Sequence, residues 1–285
     1  FTEDGISRFT ELYTRSNMPL YYTGDTEYKI QTTGASFKLG VPYSEIDRVF
    51  FGIGAEQLNL TTSINTPQAY LNYKNEYGEN TLNIPLTVGW SRDGRDSALV
   101  PSRGVYQQVS LEFGTALGDL QYYRGYYQHQ YFYPLLKGNV ISLNGEIGYG
   151  DTYNGKAFPI TKNYYVGGIG SVRGYEPGSL GPQTQSTTTG IWSPTGGSSK
   201  MILNAEYTFP IPGSGVDKTL RLFGFFDAGN VFDSTINPSE LKKSYGFGLS
   251  WISPLGPLKF SYGMPISSKP EDRLQRFQFQ IGTAF

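Results

Sequence analysis

The sequence predicts an all-β protein, a transmembrane antiparallel β-barrel with about twelve strands present. Three observations carry that prediction. The first is the stretch 277–285, where Phe277, Phe279, Ile281, Thr283 and Phe285 alternate with Gln278, Gln280, Gly282 and Ala284. One face is apolar and the other small or polar, which is a strand read with period two. In water such an aromatic edge invites pairing with another chain, whereas a barrel in lipid closes the edge and turns the apolar face to acyl chains. The second is composition. Hydrophobic residues reach only 38% while aromatics reach 15%, with 36 Gly, a balance that suits alternating strands with aromatic belts. Helical spans need runs of about 20 apolar residues, and the chain has none. The third is parity in segment after segment, described next. A soluble β-sandwich or propeller also has many short strands, and alternation alone does not exclude it.

Strand-like segments run near 6–16, 28–41, 48–60, 81–92, 103–116, 120–133, 139–150, 200–210, 219–229, 244–252, 257–265 and 274–285. Most exceed a soluble strand in length and suit a tilted bilayer crossing. Several sort cleanly. Val105, Val109, Leu111 and Phe113 oppose Gln108, Ser110, Glu112 and Gly114. Ile141, Leu143, Ile147 and Tyr149 oppose Ser142, Asn144, Glu146 and Gly148. Tyr245, Phe247, Leu249 and Trp251 oppose Gly246, Gly248 and Ser250, and Leu258, Phe260 and Tyr262 oppose Lys259, Ser261 and Gly263. The pattern is apolar outside and polar or small inside, the inverse of a barrel with a dry core. Segment 48–60 is mixed on both faces, and Ile6 and Leu12 disagree with Phe9 and Tyr13. Pro85 inside a strand predicts a bulge.

Connections alternate in length. Short turns fall at 42–47, 100–104, 134–138, 210–217 and 253–257, and longer polar loops near 17–27, 61–80, 151–199, 230–243 and 266–273. The short link 116–119 breaks the alternation. Short turns on one side and long loops on the other are the two ends of a membrane barrel. The inserted loop 151–199 is far beyond ordinary connection length, so it is functional or disordered; its Gly, Ser, Thr and Pro content after Gly178 favours mobility. The whole of 1–285 reads as one barrel domain, a mature chain or a fragment, since no signal peptide opens it.

Little of the chain suits covalent chemistry. No Cys is present, so disulfides and thiolates are excluded. A formal net charge of −1 argues against a nucleic-acid partner. The only His, His129, shares a face with Tyr123, Tyr127, Tyr131 and Tyr133 and reads as an outward belt residue, not a ligand or base. No metal or cofactor is expected. Gly167-Gly168-Ile169-Gly170 lacks the Gly-Lys-Ser/Thr ending of a phosphate cradle. Arg92-Asp93-Gly94-Arg95-Asp96 reads as a solvated strand end. The sharper signal is Arg173 in the long loop. By parity Glu206 faces inward with Asn204 and Thr208, and Asp227 faces inward with Arg221, Phe223 and Phe225. A loop folded into the lumen brings an Arg fork to those carboxylates.

Val172-Arg173-Gly174-Tyr175, preceded by Tyr165-Val166-Gly167-Gly168, resembles the signature loop of the BamA family of outer-membrane insertases. Asn204-Ala205-Glu206-Tyr207-Thr208-Phe209-Pro210, Phe226-Asp227-Ala228-Gly229-Asn230-Val231-Phe232-Asp233 and Ser253-Pro254-Leu255-Gly256-Pro257-Leu258 are similar to its later strands. The ending 277–285 resembles its β-signal, and Phe1-Thr2-Glu3-Asp4-Gly5 resembles a turn of its barrel. The resemblance implies the later strands of a sixteen-stranded barrel, with the preceding POTRA domains and first strands absent from this chain. It implies a bacterial outer-membrane location and a non-enzymatic role: folding and inserting β-barrel proteins. The implied partners are lipids, unfolded outer-membrane proteins and, through POTRA domains, assembly lipoproteins. It also implies that Arg173 sits inside against Glu206 and Asp227, and that the last strand, with Phe277, Phe279, Ile281, Gly282 and Phe285, forms one side of a gate. A two-partner secretion or TamA-like transporter shares the Arg-Gly-Tyr loop. A diffusion porin and a barrel lipase or protease are readings from other classes. For the chain taken alone, unpaired edges in lipid predict closure of 6–16 onto 274–285, or dimerisation.

Overall fold

The computed structural model describes residues 5–18, 27–136, 138–211, 219–253, 256–266 and 268–282. Twelve long strands follow one another. They are β1 Ser7–Asn17, β2 Tyr28–Pro42, β3 Asp47–Thr62, β4 Pro85–Asp93, β5 Gly104–Gly114 and β6 Tyr122–Leu136. The second half comprises β7 Asn139–Thr152, β8 Ser199–Pro210, β9 Leu220–Phe232, β10 Lys242–Ser253, β11 Gly256–Pro265 and β12 Phe277–Ile281. Each strand pairs antiparallel with the next, so sheet order is chain order. A short strand, Asn80–Asn83, also pairs with β3.

Register turns the alternation into two chemically distinct surfaces. Tyr131, Leu143, Ala205, Phe226, Tyr245 and Met264 stand opposite one another across six strands. The row beside it reads Gln130, Asn144, Asn204, Asp227, Ser244 and Pro265. Leu143 is 47% exposed and Phe279 61%, whereas Gln278 is 4% exposed and Asp227 fully covered. The aromatic and aliphatic side chains therefore look away from the protein. Each cross-strand apolar pair contributes about 0.2–1 kcal/mol; one slipped residue would put every polar neighbour into lipid.

The inner face is filled by the connection between β7 and β8. It reaches wall residues from Glu56 on β3 to Gln278 on β12. Contrary to the mobility expected after Gly178, this stretch is folded. Gln183–Gln185 pairs with Trp192–Pro194, and Ser186 and Ser193 are buried with their hydroxyls bonded to Ile64 O and Glu27 Oε1. Short hydroxyl side chains here satisfy neighbouring polar groups instead of water. Helix α1, Gln68–Tyr77, covers the same end. Tyr28 and Tyr70 stack at 3.8 Å and the Tyr70 hydroxyl meets those of Tyr28 at 2.6 Å and Tyr165 at 3.0 Å. The two buried apolar clusters, around Tyr70 and around Val172, are built largely from these connections and the strand ends they cover.

Two other expectations need correction. No bulge forms at Pro85: Glu56 faces Asn83 and Ile53 faces Leu86 in one unbroken register, and only Ile84 drops out of the strand assignment. Proline lacks the N–H a ladder needs, so pairing lapses there without a shift. The cluster 92–96 is a solvated strand end as expected, with Arg92, Asp93, Gly94 and Asp96 exposed; only Arg95 turns back, forking onto Asp93 at 2.8 Å through both Nε and Nη2 and lying over the Tyr106 ring. Segment 274–285 is divided. Leu274–Gln275 pairs with Gly174–Tyr175 of the loop, and β12 pairs with β11; Thr283, Ala284 and Phe285 lie outside the described residues. Among the described residues β1 pairs with β2 and β12 with β11, and no ladder joins β1 to β12. A twelve-stranded closed barrel would be narrower than one of more strands, and the inner face is already occupied.

Candidate functional site

The loop reaches its site through a glycine turn. Gly167 and Gly168 have φ of +123° and +93°, a region that suits glycine. Gly168 N–H donates to Val172 O and Gly167 N–H to Ser171 Oγ, doubling the chain back. The glycine run is thus a turn. Val172 and Tyr175 are wholly buried on either side, so Arg173 is held between packed neighbours and is itself 3% exposed.

Its guanidinium makes a fork on Asp227, with Nε to Oδ2 at 2.7 Å and Nη2 to Oδ1 at 2.8 Å. Its backbone N–H adds a third bond to Asp227 Oδ2 at 3.0 Å, and Nη1 donates to Glu206 Oε2 at 2.6 Å. The plane lies over Phe225, 3.5 Å from the ring centroid. Sheet register makes this possible: Asn204 faces Asp227, Glu206 faces Phe225, and all four point inward on adjoining strands. Asn204 Nδ2 braces Asp227 Oδ1 at 2.8 Å and Ser171 O at 2.6 Å. Burial alone would depress Arg173, but the bonds to Asp227 and Glu206 raise it above its ordinary value. It is a permanent cation.

A residue absent from the sequence-based site completes the balance. Lys259 Nζ lies 3.0 Å from Glu206 Oε2, so two cations face two carboxylates. Parity had already put Lys259 on the inner face; its partner could not be read, because β8 and β11 are not neighbours in the sheet. Such a group is stable only when every charge has its partner. Among the described residues no group of three or more His, Cys, Asp or Glu side chains could hold a metal ion. His129 bonds to Gln107 Nε2 at 3.1 Å on the outer face.

The same loop grips the end of the sheet. Gly174, at φ +91°, crosses Gly263 so closely that a Cβ would sit 3.1 Å from the Gly263 carbonyl. Gln278 Nε2 donates to Tyr175 O at 2.6 Å. Phe277, Phe279 and Ile281 face outward and exposed, and Gly282, at φ +94°, ends the strand with its N–H on Pro257 O.

An antiparallel wall with an apolar exterior and an arginine loop fixed to its polar interior defines a plugged outer-membrane β-barrel. The chain belongs to the Omp85 superfamily, whose domain profile matches residues 1–285. It is 38% identical over 322 aligned residues to outer membrane protein assembly factor BamA of Neisseria meningitidis serogroup B, covering all of this chain and 40% of that protein. A SAM50-like protein of Drosophila melanogaster is 28% identical over 200 residues, 68% of this chain and 43% of its own. The crystal structure of BamA from Haemophilus ducreyi lacking POTRA domains 1–3 matches with a TM-score of 0.87 at 25% identity, over 98% of this chain and 59% of that one. The chain therefore spans less than two thirds of each of these proteins. The BamA resemblance and the bacterial outer-membrane location are borne out.

Proposed function

We propose that this chain is the carboxyl-terminal membrane portion of a BamA-like assembly factor that folds and inserts β-barrel proteins into the outer membrane. No covalent chemistry is needed. The observation that carries the reading is the weakness of the last strand. Among the described residues β12 makes a ladder of five residue pairs, Phe277 with Tyr262 to Ile281 with Leu258, whereas β10 and β11 pair from Ser244 to Ser253. An incoming strand can compete for so short a ladder by backbone pairing. Gly282, with its left-handed backbone, loosens the chain just after Ile281. The arginine loop braces β11 and β12 from inside without touching the client. Unfolded outer-membrane proteins and lipids are then the direct partners, and lipoproteins act through POTRA domains elsewhere in the protein.

The reading favours assembly over the transporter alternatives because the BamA likeness holds at 38% identity over the whole chain and at a TM-score of 0.87. A diffusion porin would need an open lumen, and here the loop is bonded to the wall across it. The test is photo-crosslinking in cells from a probe placed at Gln280 of the intact protein during outer-membrane protein synthesis. Adducts with nascent barrel proteins are expected at 280 and not at 143. Equal yields at the two positions would remove the support.

A further inference from the structure

We propose that Lys162 is a second anchor of the long connection, making residues 160–175 a strut that ties the β1–β6 side of the wall to the β8–β12 side. Lys162 lies in a single 3-10 turn, Ile160–Lys162, and is only 9% exposed. A long lysine in a loop normally keeps its ammonium in water; it stays buried only when paired. Here Nζ sits 3.1 Å from Glu56 Oε2 on β3 and 3.3 Å from Glu112 Oε1 on β5. Those strands flank β4, so one ammonium joins two non-adjacent parts of the sheet.

The carboxylates are themselves fixed. Glu56 accepts Tyr13 OH at 2.6 Å from β1 and Asn83 Nδ2 at 3.0 Å. Glu112 accepts the Tyr122 hydroxyl and Arg124 Nη2, the latter at 3.1 Å, both from β6. Arg124 Nη1 also donates to the Lys162 carbonyl at 3.1 Å, so side chain and backbone of one residue are both held. Two cations again balance two carboxylates. The site shares no residue with the Arg173 group. Between the anchors the chain crosses the inner face, with the Tyr164 hydroxyl on Gly125 O at 2.8 Å.

A loop held at Arg173 alone could pivot; one held at both ends cannot leave the lumen without breaking both groups, and the two sides cannot part without breaking one. The claim is independent of the proposed client, because conductance reports the wall and its plug only. The experiment is single-channel recording in planar bilayers on the intact protein, after heat-modifiable gel mobility has confirmed folding. Lys162→Met and Arg173→Ala are each expected to add brief openings, and the double variant sustained openings far exceeding the sum. Lys162→Arg should record like the parent. Should Lys162→Met fail to fold, Lys162→Met with Glu56→Gln leaves Glu112 and Arg124 paired and serves in its place. Lys162 variants as quiet as the parent, alone and with Arg173→Ala, would overturn the strut.

Discussion

Asp227 receives three bonds from a single residue, and this concentration makes Arg173 the most consequential side chain in the lumen. Arg173→Ala would leave Asp227 buried with only Asn204 as a side-chain donor, and Glu206 with Lys259. Breaking a buried pair in this way costs about 3–5 kcal/mol, less where water enters the gap. Equilibrium urea unfolding in detergent should show that loss, and Arg173→Lys should recover only part of it, because an ammonium cannot reproduce the fork. This site was largely legible beforehand. The loop motif gave Arg173, and strand parity placed Glu206 and Asp227 inward. Lys259 and Lys162 were harder: Lys259 meets Glu206 across strands that are not neighbours, Lys162 reaches Glu56 and Glu112 from a loop, and no periodicity states how far a sheet curls.

At the scale of the element, β3 shows why some strands sort badly by parity. Near the short-turn end Phe51 and Ile53 face out; near the other end Leu58 and Leu60 are buried inside while Gln57 and Asn59 are exposed outside. The strand runs from lipid into water, and above the bilayer the sheet becomes an ordinary one with an apolar interior against α1. A single rule for both halves therefore reads as noise. The crossing of the loop over β11 is a second element-scale constraint. Gly174 and Gly263 meet backbone to backbone, and a Cβ on Gly263 would lie 2.6 Å from Gly174 N. Gly174→Ala adds a side chain to a left-handed residue at this contact, a strain of about 1–3 kcal/mol. A lowered thermal midpoint and faster proteolysis within 160–175 are the expected readouts, with Gly155→Ala, also at positive φ but with open space around it, as the milder control.

The whole molecule is a curved wall wrapped on its own connection, capped at the long-loop end by tyrosines. Burial pushes the phenols of Tyr70 and Tyr165 up from their ordinary value. Their folded pKa exceeds the unfolded one, so the stability they lend is complete below about pH 10 and declines as the pH rises beyond it. The protection of amides across α1, corrected for the base-catalysed intrinsic exchange rate, should therefore fall above about pH 10 and stay level between neutrality and that pH. The direct test of the account as a whole uses the absence of Cys from this chain, with any Cys elsewhere in the protein replaced by Ser. Single cysteines replacing Leu143, Asn144, Phe279 or Gln280 in the intact protein can carry a fluorophore in vesicles of brominated lipid. The account predicts strong quenching at 143 and 279 and little at 144 and 280; the reverse pattern, with 143 and 279 shielded from lipid, would contradict it.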